Sequence, residues 1–308
     1  MVSLTFSFFV YALLYTSRVL AIPTLQVRDV SQDVLSKLEL FEQYSAAGYC
    51  EDNNDSPDTQ LSCEAGNCPQ VESADTDTQT EFENSLITDV TGYVAVDHTN
   101  CLIVVAFRGS RSVRNFLADI NFVQVPTDIC ATCTAHKGFW VSWLEARDGV
   151  LDAVEGAADE NPSYKVVAVG HSLGGAIASF AAAQLRNDGY DTALYTYGSP
   201  RIGGSEIADF ITNQPGGNYR VTHYNDPVPR LPPALVGYRH IGPEYYIKSK
   251  NGEEVTTNDV KVCRGSLNLG CNNGHVVVDV EAHLWYFNSI SACSSDDLLE
   301  WKRDVQVF

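Results

Sequence analysis

Positive charge is scarce in this chain: 20 Lys and Arg stand against 39 Asp and Glu, a formal net charge of -19, with both signs spread along the sequence rather than gathered in blocks. Binding a phosphate backbone needs a basic face, so nucleic acid is excluded as a partner, and anionic membranes should repel the protein as well. Internal repeats and linker-like stretches are also missing. With 308 residues, 44% of them hydrophobic, one large core suffices, and a single α/β domain acting as a monomer is expected. Past residue 21 no stretch is long and apolar enough to cross a bilayer, so no transmembrane anchor is expected. Zinc-ligand spacing is absent too. Cys130-Ala131-Thr132-Cys133 has no second cysteine or histidine pair to complete a site, and neither metal nor cofactor is called for.

The chain does carry a leader pattern. Residues 1–21 hold the apolar stretch Val2 to Leu14 and end in Val19-Leu20-Ala21, small residues of the kind that precede signal cleavage. A secretory signal peptide is the reading, although Arg18 follows the apolar run instead of preceding it, and a short membrane anchor is the alternative. Residues 22–28 read as a short propeptide. Nine cysteines suit the oxidising compartment that such a leader implies, and an odd count leaves at least one thiol without an intramolecular partner. Cys63 and Cys68, Cys130 and Cys133, and Cys263 and Cys271 are close enough to staple local loops, but spacing alone does not fix connectivity. Cys101, at the head of an apolar strand pattern, is the nominee for the odd thiol. The sequon Asn54-Asp55-Ser56 makes Asn54 a glycosylation candidate.

The stretch around which the chain is organised runs from Val166 to Ala176. Lys165 to Val169 is short and β-branched, as in a strand buried on both faces of a parallel sheet. Leu173 to Arg186 is Ala-rich and free of proline, the pattern of a packed helix. Between them, Gly170-His171-Ser172-Leu173-Gly174 turns strand directly into helix. Such a turn forces Ser172 into a strained, exposed position, and Gly170 and Gly174 remove side chains that would collide there. A solvated serine in a glycine-rich turn is the bland alternative; the flanking strand and helix favour a nucleophile.

Other elements fall around this one. Val34, Leu38, Phe41 and Tyr44 give one helical face within Val30 to Tyr49, and Glu51 to Thr80 reads as acidic, cysteine-pinned surface loop. Gly92 to Asp97 and Cys101 to Phe107 read as a hairpin. Phe139, Trp143, Ala146, Val150, Val154 and Ala157 mark a helix that Pro162 closes, and Ala193 to Tyr197 and Tyr219 to Tyr224 are further strands. Strands alternating with helices predict a mostly parallel sheet, with reactive side chains gathered at the strands' carboxyl ends.

A serine needs an adjacent imidazole to take its proton and a carboxylate to orient that imidazole. Turns of this type order the three as Ser, Asp or Glu, then His. That discards His98 and His136 and leaves His223, His240, His275 and His283. Asp226, in the turn Tyr224-Asn225-Asp226-Pro227, is the expected carboxylate. His223 lies too close to it in sequence, and His275 follows Asn272-Asn273-Gly274, a turn that would hold an imidazole loosely. His283 is preferred; Asp279 competes as carboxylate but lies too near His283. For the oxyanion, the backbone N–H of Leu173 sits at a helix N-terminus, and Ser110 in Arg108-Gly109-Ser110 is chosen as second donor. Directly after it, Val113, Phe116, Leu117 and Ile120 recur at i, i+3, i+4 and i+7 in Ser112, Val113, Arg114, Asn115, Phe116, Leu117, Ala118, Asp119 and Ile120. Permanent docking on the core explains such a stripe. The sharper reading is a lid that covers Ser172 in water and turns its apolar face to a lipid surface, with Arg111 and Arg114 pairing different carboxylates in the two states.

With these residues in place, the chain resembles the secreted filamentous-fungal lipases of the class 3 group. The likeness spans Val30 to Cys293 and is strongest at Ser45-Ala46-Ala47-Gly48-Tyr49-Cys50, Phe107-Arg108-Gly109-Ser110-Arg111-Ser112, Gly170 to Ala176, Asn225 to Pro233 and Ala282-His283-Leu284-Trp285-Tyr286-Phe287. The resemblance implies an α/β-hydrolase fold over residues 29–293, a triad of Ser172, Asp226 and His283, an oxyanion hole at Ser110 and Leu173, a lid at Ser112 to Ile120, and disulfides Cys50 to Cys293, Cys63 to Cys68 and Cys130 to Cys133. Phe116 departs from the tryptophan of a close relative, Cys263 and Cys271 look like an added pair, and residues 294–308 form an extension read as processed or disordered, with a packed helix as the alternative. The activity implied is hydrolysis of triacylglycerol at a lipid-water interface, with phospholipase A1 or a feruloyl-type esterase as alternatives.

Overall fold

The computed structural model describes residues 30–54, 57–82 and 88–294, with the side chains of Val113, Arg114 and Asp119 outside the description. The expected signal peptide and propeptide, Ser56 of the sequon and residues 295–308 lie outside the described residues.

The elements run as α1 (Gln32–Ala47), α2 (Pro69–Glu72), β1 (Thr76–Phe82), β2 (Gly92–Asp97), β3 (Leu102–Phe107), α3 (Val113–Asp119), β4 (Gln124–Pro126), β5 (Thr134–His136), α4 (Lys137–Glu160), β6 (Lys165–His171), α5 (Leu173–Asn187), β7 (Thr192–Tyr197), α6 (Ser205–Asn213), β8 (Asn218–His223), β9 (Glu244–Ile247) and β10 (Val260–Cys263). Eight strands form one sheet in the order β1-β2-β3-β6-β7-β8-β9-β10. The run from β3 to β9 is parallel, while β1 and β2 at one edge and β10 at the other pair antiparallel.

Strand alternation builds the layers. Val105, Phe107, Val166 and Ala168 point to one face and pack with α4 and α5. Val104, Ala106, Val167 and Val169 point to the other, against Leu38, Phe41 and Tyr44 of α1. Since both faces are covered, β6 carries no polar residue between Lys165 and Gly170.

The segment expected as loop from Glu51 to Thr80 contains the start of β1. Its Thr76-Asp77-Thr78-Gln79-Thr80 is polar on both faces and lacks the apolar signal, because an edge strand needs only backbone pairing to β2 on one side. Four disulfides close: Cys50–Cys293, Cys63–Cys68, Cys130–Cys133 and Cys263–Cys271. Cys101 stands outside them at the hairpin turn, exposed and at φ 56°.

Candidate active site

Asp226 and His283 bond each other at the carboxyl end of the parallel strands, where the turn carrying Ser172 leaves β6. β6 ends at His171, and Ser172 follows at φ 55° and ψ -125°, a strained conformation for a residue with a Cβ, before α5 begins at Leu173. The turn is tight because α5 lies on the β3 backbone: a Cβ at Gly174 would lie 2.0 Å from the carbonyl oxygen of Phe107. Contrary to the exposed position expected for it, Ser172 is only 2% accessible. Sequence spacing fixes the turn but not what folds over it, and here Gly109 comes so near that a Cβ on it would lie 3.0 Å from Ser172 Cβ.

Asp226 follows β8 and is fully buried. Its Oδ2 accepts from His283 Nδ1 at 2.8 Å and from the Tyr286 hydroxyl at 2.6 Å, and its Oδ1 accepts from the Val228 N–H at 2.9 Å. These donors replace the water that burial strips from the carboxylate. With Nδ1 committed as donor, the neutral imidazole presents its lone pair at Nε2. That atom is buried and has no hydrogen-bond partner among the described residues.

His171, next to the serine, ties the parts together. Its Nδ1 accepts from the Tyr49 hydroxyl at 2.6 Å and its Nε2 donates to the His283 carbonyl at 2.8 Å; the Tyr49 oxygen in turn accepts the Gly109 N–H at 3.1 Å. Burial first, and then the charge of His283, holds the His171 imidazole well below the ordinary histidine range. It is therefore neutral and structural, and the hydrogen-bond directions above are those of one tautomer.

The remaining candidates have other work. His223 Nδ1 and Nε2 face the carbonyls of Ala282 and Ser249, and its single N–H serves one of them; His240 bonds the Pro229 carbonyl, and His98 faces Asp77 and Tyr164. His275 is not loosely held as its Asn-Asn-Gly turn suggests, because the Tyr246 hydroxyl meets its Nε2 at 2.7 Å. Asp279 Oδ1 accepts the Glu281 N–H and so caps the turn ahead of His283. Asn54 is also 2% accessible and its amide donates to the Cys50 carbonyl, so glycosylation does not fit its placement.

Ser110 and Leu173 line one cleft of about 460 Å³ together with Ser112, Asn115, Phe116 and Ile120, with His136 at the end of β5 and with Phe139 of α4. The Leu173 N–H is at the first position of α5, where a helix leaves donors without intrahelical acceptors. The Ser112 hydroxyl caps α3, and Phe116 stacks on Phe139 with centroids 6.2 Å apart. Arg111 lies 4.0 Å from Glu51, while the Arg114 side chain falls outside the described residues. Sequence reasoning missed Tyr286, Tyr49 and His171 as partners. Tyr286 stands three residues after His283, but only packing brings its hydroxyl to Asp226.

A sheet of this topology, with a serine turn after its central parallel strand, defines an α/β-hydrolase. The chain belongs to the class 3 lipase family. Residues 104–236 match the class 3 lipase family and residues 3–79 match the lipase 3 N-terminal region. A secreted mono- and diacylglycerol lipase A of Penicillium camembertii is 47% identical over 87% of this chain and 89% of its own length. Secreted mono- and diacylglycerol lipase 1 of Fusarium solani is 43% identical over 90% of this chain and 82% of its own. The crystal structure of a mono- and diacylglycerol lipase from Aspergillus oryzae superposes with a TM-score of 0.82 at 45% identity, covering 86% of this chain and 99% of that one.

Proposed function

We propose that this lipase is a secreted serine ester hydrolase that cleaves mono- and diacylglycerols through an acyl-enzyme. The observation that carries the chemistry is the buried Asp226–His283 pair, whose imidazole leaves Nε2 unpartnered next to the strained turn at Ser172. Ser172 Oγ attacks the ester carbonyl carbon as His283 Nε2 takes its proton. The carbonyl oxygen becomes an oxyanion held by the N–H groups of Leu173 and Ser110. Collapse expels the glycerol oxygen, which receives the proton from His283; water then attacks the acyl-enzyme with His283 again as base, and the fatty acid leaves. Asp226 keeps the imidazole in the productive tautomer.

The preference for partial acylglycerols is supported by the names of the relatives at 43% and 47% identity. Triacylglycerol is the second reading, favoured by the apolar Phe116, Ile120 and Phe139 in the cleft, which suit acyl chains without counting them. The lid reading of Ser112 to Ile120 is supported by the inaccessibility of Ser172 and by Asn115 and Phe116 of α3, which line the cleft beside Leu173. A lid of this kind makes the rate rise sharply once substrate exceeds its solubility. Secretion is supported by the leader pattern and the secreted relatives.

The test compares monoolein, diolein, triolein, phosphatidylcholine and methyl ferulate on the parent and on Ser172→Ala. Hydrolysis of the partial glycerides that vanishes in a folded Ser172→Ala protein supports the reading. Retained activity in that variant rejects the nucleophile, and faster cleavage of triolein, phospholipid or ferulate rejects the substrate.

A further inference from the structure

Next to the candidate site the surface changes character. The 14 residues Gly265 to Val278 contain no Asp, Glu, Lys or Arg, in a chain whose net charge is -19. Within them Val276, Val277 and Val278 are 96%, 68% and 59% exposed, and Leu269 is 77% exposed. Apolar side chains this open are ordinarily folded inward when their backbone is free to turn.

Here the backbone is held so that they point out. Arg230 Nη1 donates to the carbonyls of His275 at 2.7 Å and Val277 at 3.3 Å, and the Tyr246 hydroxyl pins the His275 ring. Beyond the valines, the Asp279 N–H donates to the Asn225 carbonyl at 3.1 Å. The Cys263–Cys271 disulfide closes the loop that carries Leu269, and Gly274 packs on the Leu269 backbone, which places the leucine beside the valine segment. Asn272 Nδ2 donates to the Asp226 backbone carbonyl at 2.9 Å, so the same loop abuts the chain that carries this aspartate.

We infer that Leu269 and Val276 to Val278 form a fixed apolar spur that enters an uncharged lipid surface and seats the site on it, separately from any movement of α3. The inference rests on the proposed action on acylglycerols. A lipid surface suits this feature better than a protein partner. The spur is a set of projecting side chains on a loop, and its freedom from charge removes the main cost of entering an apolar phase.

The experiment measures flotation of the Ser172→Ala chain with phosphatidylcholine vesicles containing diolein, so that no lipid is consumed, with and without the added substitutions Val276→Asn and Val277→Asn. The same pair in the otherwise intact enzyme is assayed on p-nitrophenyl butyrate below its solubility limit. The expected result is about a tenfold or greater rise in the lipid concentration needed for half-binding, with the dissolved ester cleaved at the parental rate and the melting temperature unchanged. Equal binding by both chains overturns the spur, as does a sedimentation shift showing that the substitutions dissolve a dimer of this chain instead. Failure of the intact parent to cleave the dissolved ester would reject the hydrolase reading and leave the flotation result standing by itself.

Discussion

The Tyr286 hydroxyl and the His283 imidazole donate to the same oxygen of Asp226, at 2.6 and 2.8 Å. The phenol is buried, and desolvation followed by the charge of Asp226 pushes its titration well above the ordinary tyrosine range, so it remains a donor at every working pH. Tyr286→Phe removes that donor and leaves a buried carboxylate with one fewer partner. Stability should fall by about 1–3 kcal/mol, read by urea denaturation. The rate constant for a dissolved ester should fall more than KM changes, because the imidazole loses part of what fixes its carboxylate. Unchanged stability together with an unchanged rate would show that the hydroxyl does not support Asp226.

Stability should depend on pH through buried neutral imidazoles. Burial is the first cause of the lowered titration of His171, His240, His223 and His136. In the unfolded chain these groups bind protons below the ordinary histidine value of 6.5, whereas in the folded chain they take them up only at lower pH. The unfolded state therefore holds more protons, and folding stability drops as pH falls below that value. Glu42 opposes this, because burial raises its titration well above 4.5 and the folded chain takes up its proton first. Glu39 opposes it too, raised by burial and by Glu254, but four imidazoles outweigh two carboxyls, so the melting temperature should decline from pH 7 to pH 5. Each imidazole contributes up to about 1.4 kcal/mol per pH unit, and His240→Gln should flatten the slope by about that amount.

Gly109 marks where the loop that carries Ser110 meets the polar cluster of Tyr49 and His171. A Cβ there would lie 2.2 Å from the Tyr49 hydroxyl, 2.9 Å from the His171 carbonyl and 3.0 Å from Ser172 Cβ. Gly109→Ala must push the loop or the tyrosine aside, at a cost of about 1–3 kcal/mol. Displacing Ser110 at the same time should lower the rate constant by about 100-fold or more if it supplies an oxyanion donor. A variant that folds with parental activity would exclude Ser110 from that role.

The disulfides should differ in weight by the length of chain they close. Cys50–Cys293 spans 243 residues and Cys263–Cys271 spans 8. On the chain-entropy account, paired replacement by serine costs about 5 kcal/mol for the long loop and about 2–3 kcal/mol for the short one. Denaturant midpoints of the two double variants check the order, and a larger loss from the short loop would contradict it.

Much of this was legible in the sequence because it is local. The β6 run, the glycine-flanked Ser172 and the Ala-rich α5 are contiguous, and strand, turn and helix each leave their own period. Asp226 and His283 followed from chain order and loop position, and the resemblance added the pairing of Cys50 with Cys293. Strands β1, β9 and β10 were missed because edge and near-edge strands are short and partly polar, so alternation alone did not separate them from loop.

What only the tertiary structure decided is non-local. The covering of Ser172, the meeting of Tyr286 with Asp226, and the Gly109–Tyr49–His171 chain join residues from 60 to 122 positions apart. Hydrogen bonding acts over about 3 Å, and no period within a strand or helix records which distant groups will come that close. By itself, the sequence determined which residues had the chemistry for ester cleavage. Folding decided which donors hold them in place and left the valines beside His275 facing outward.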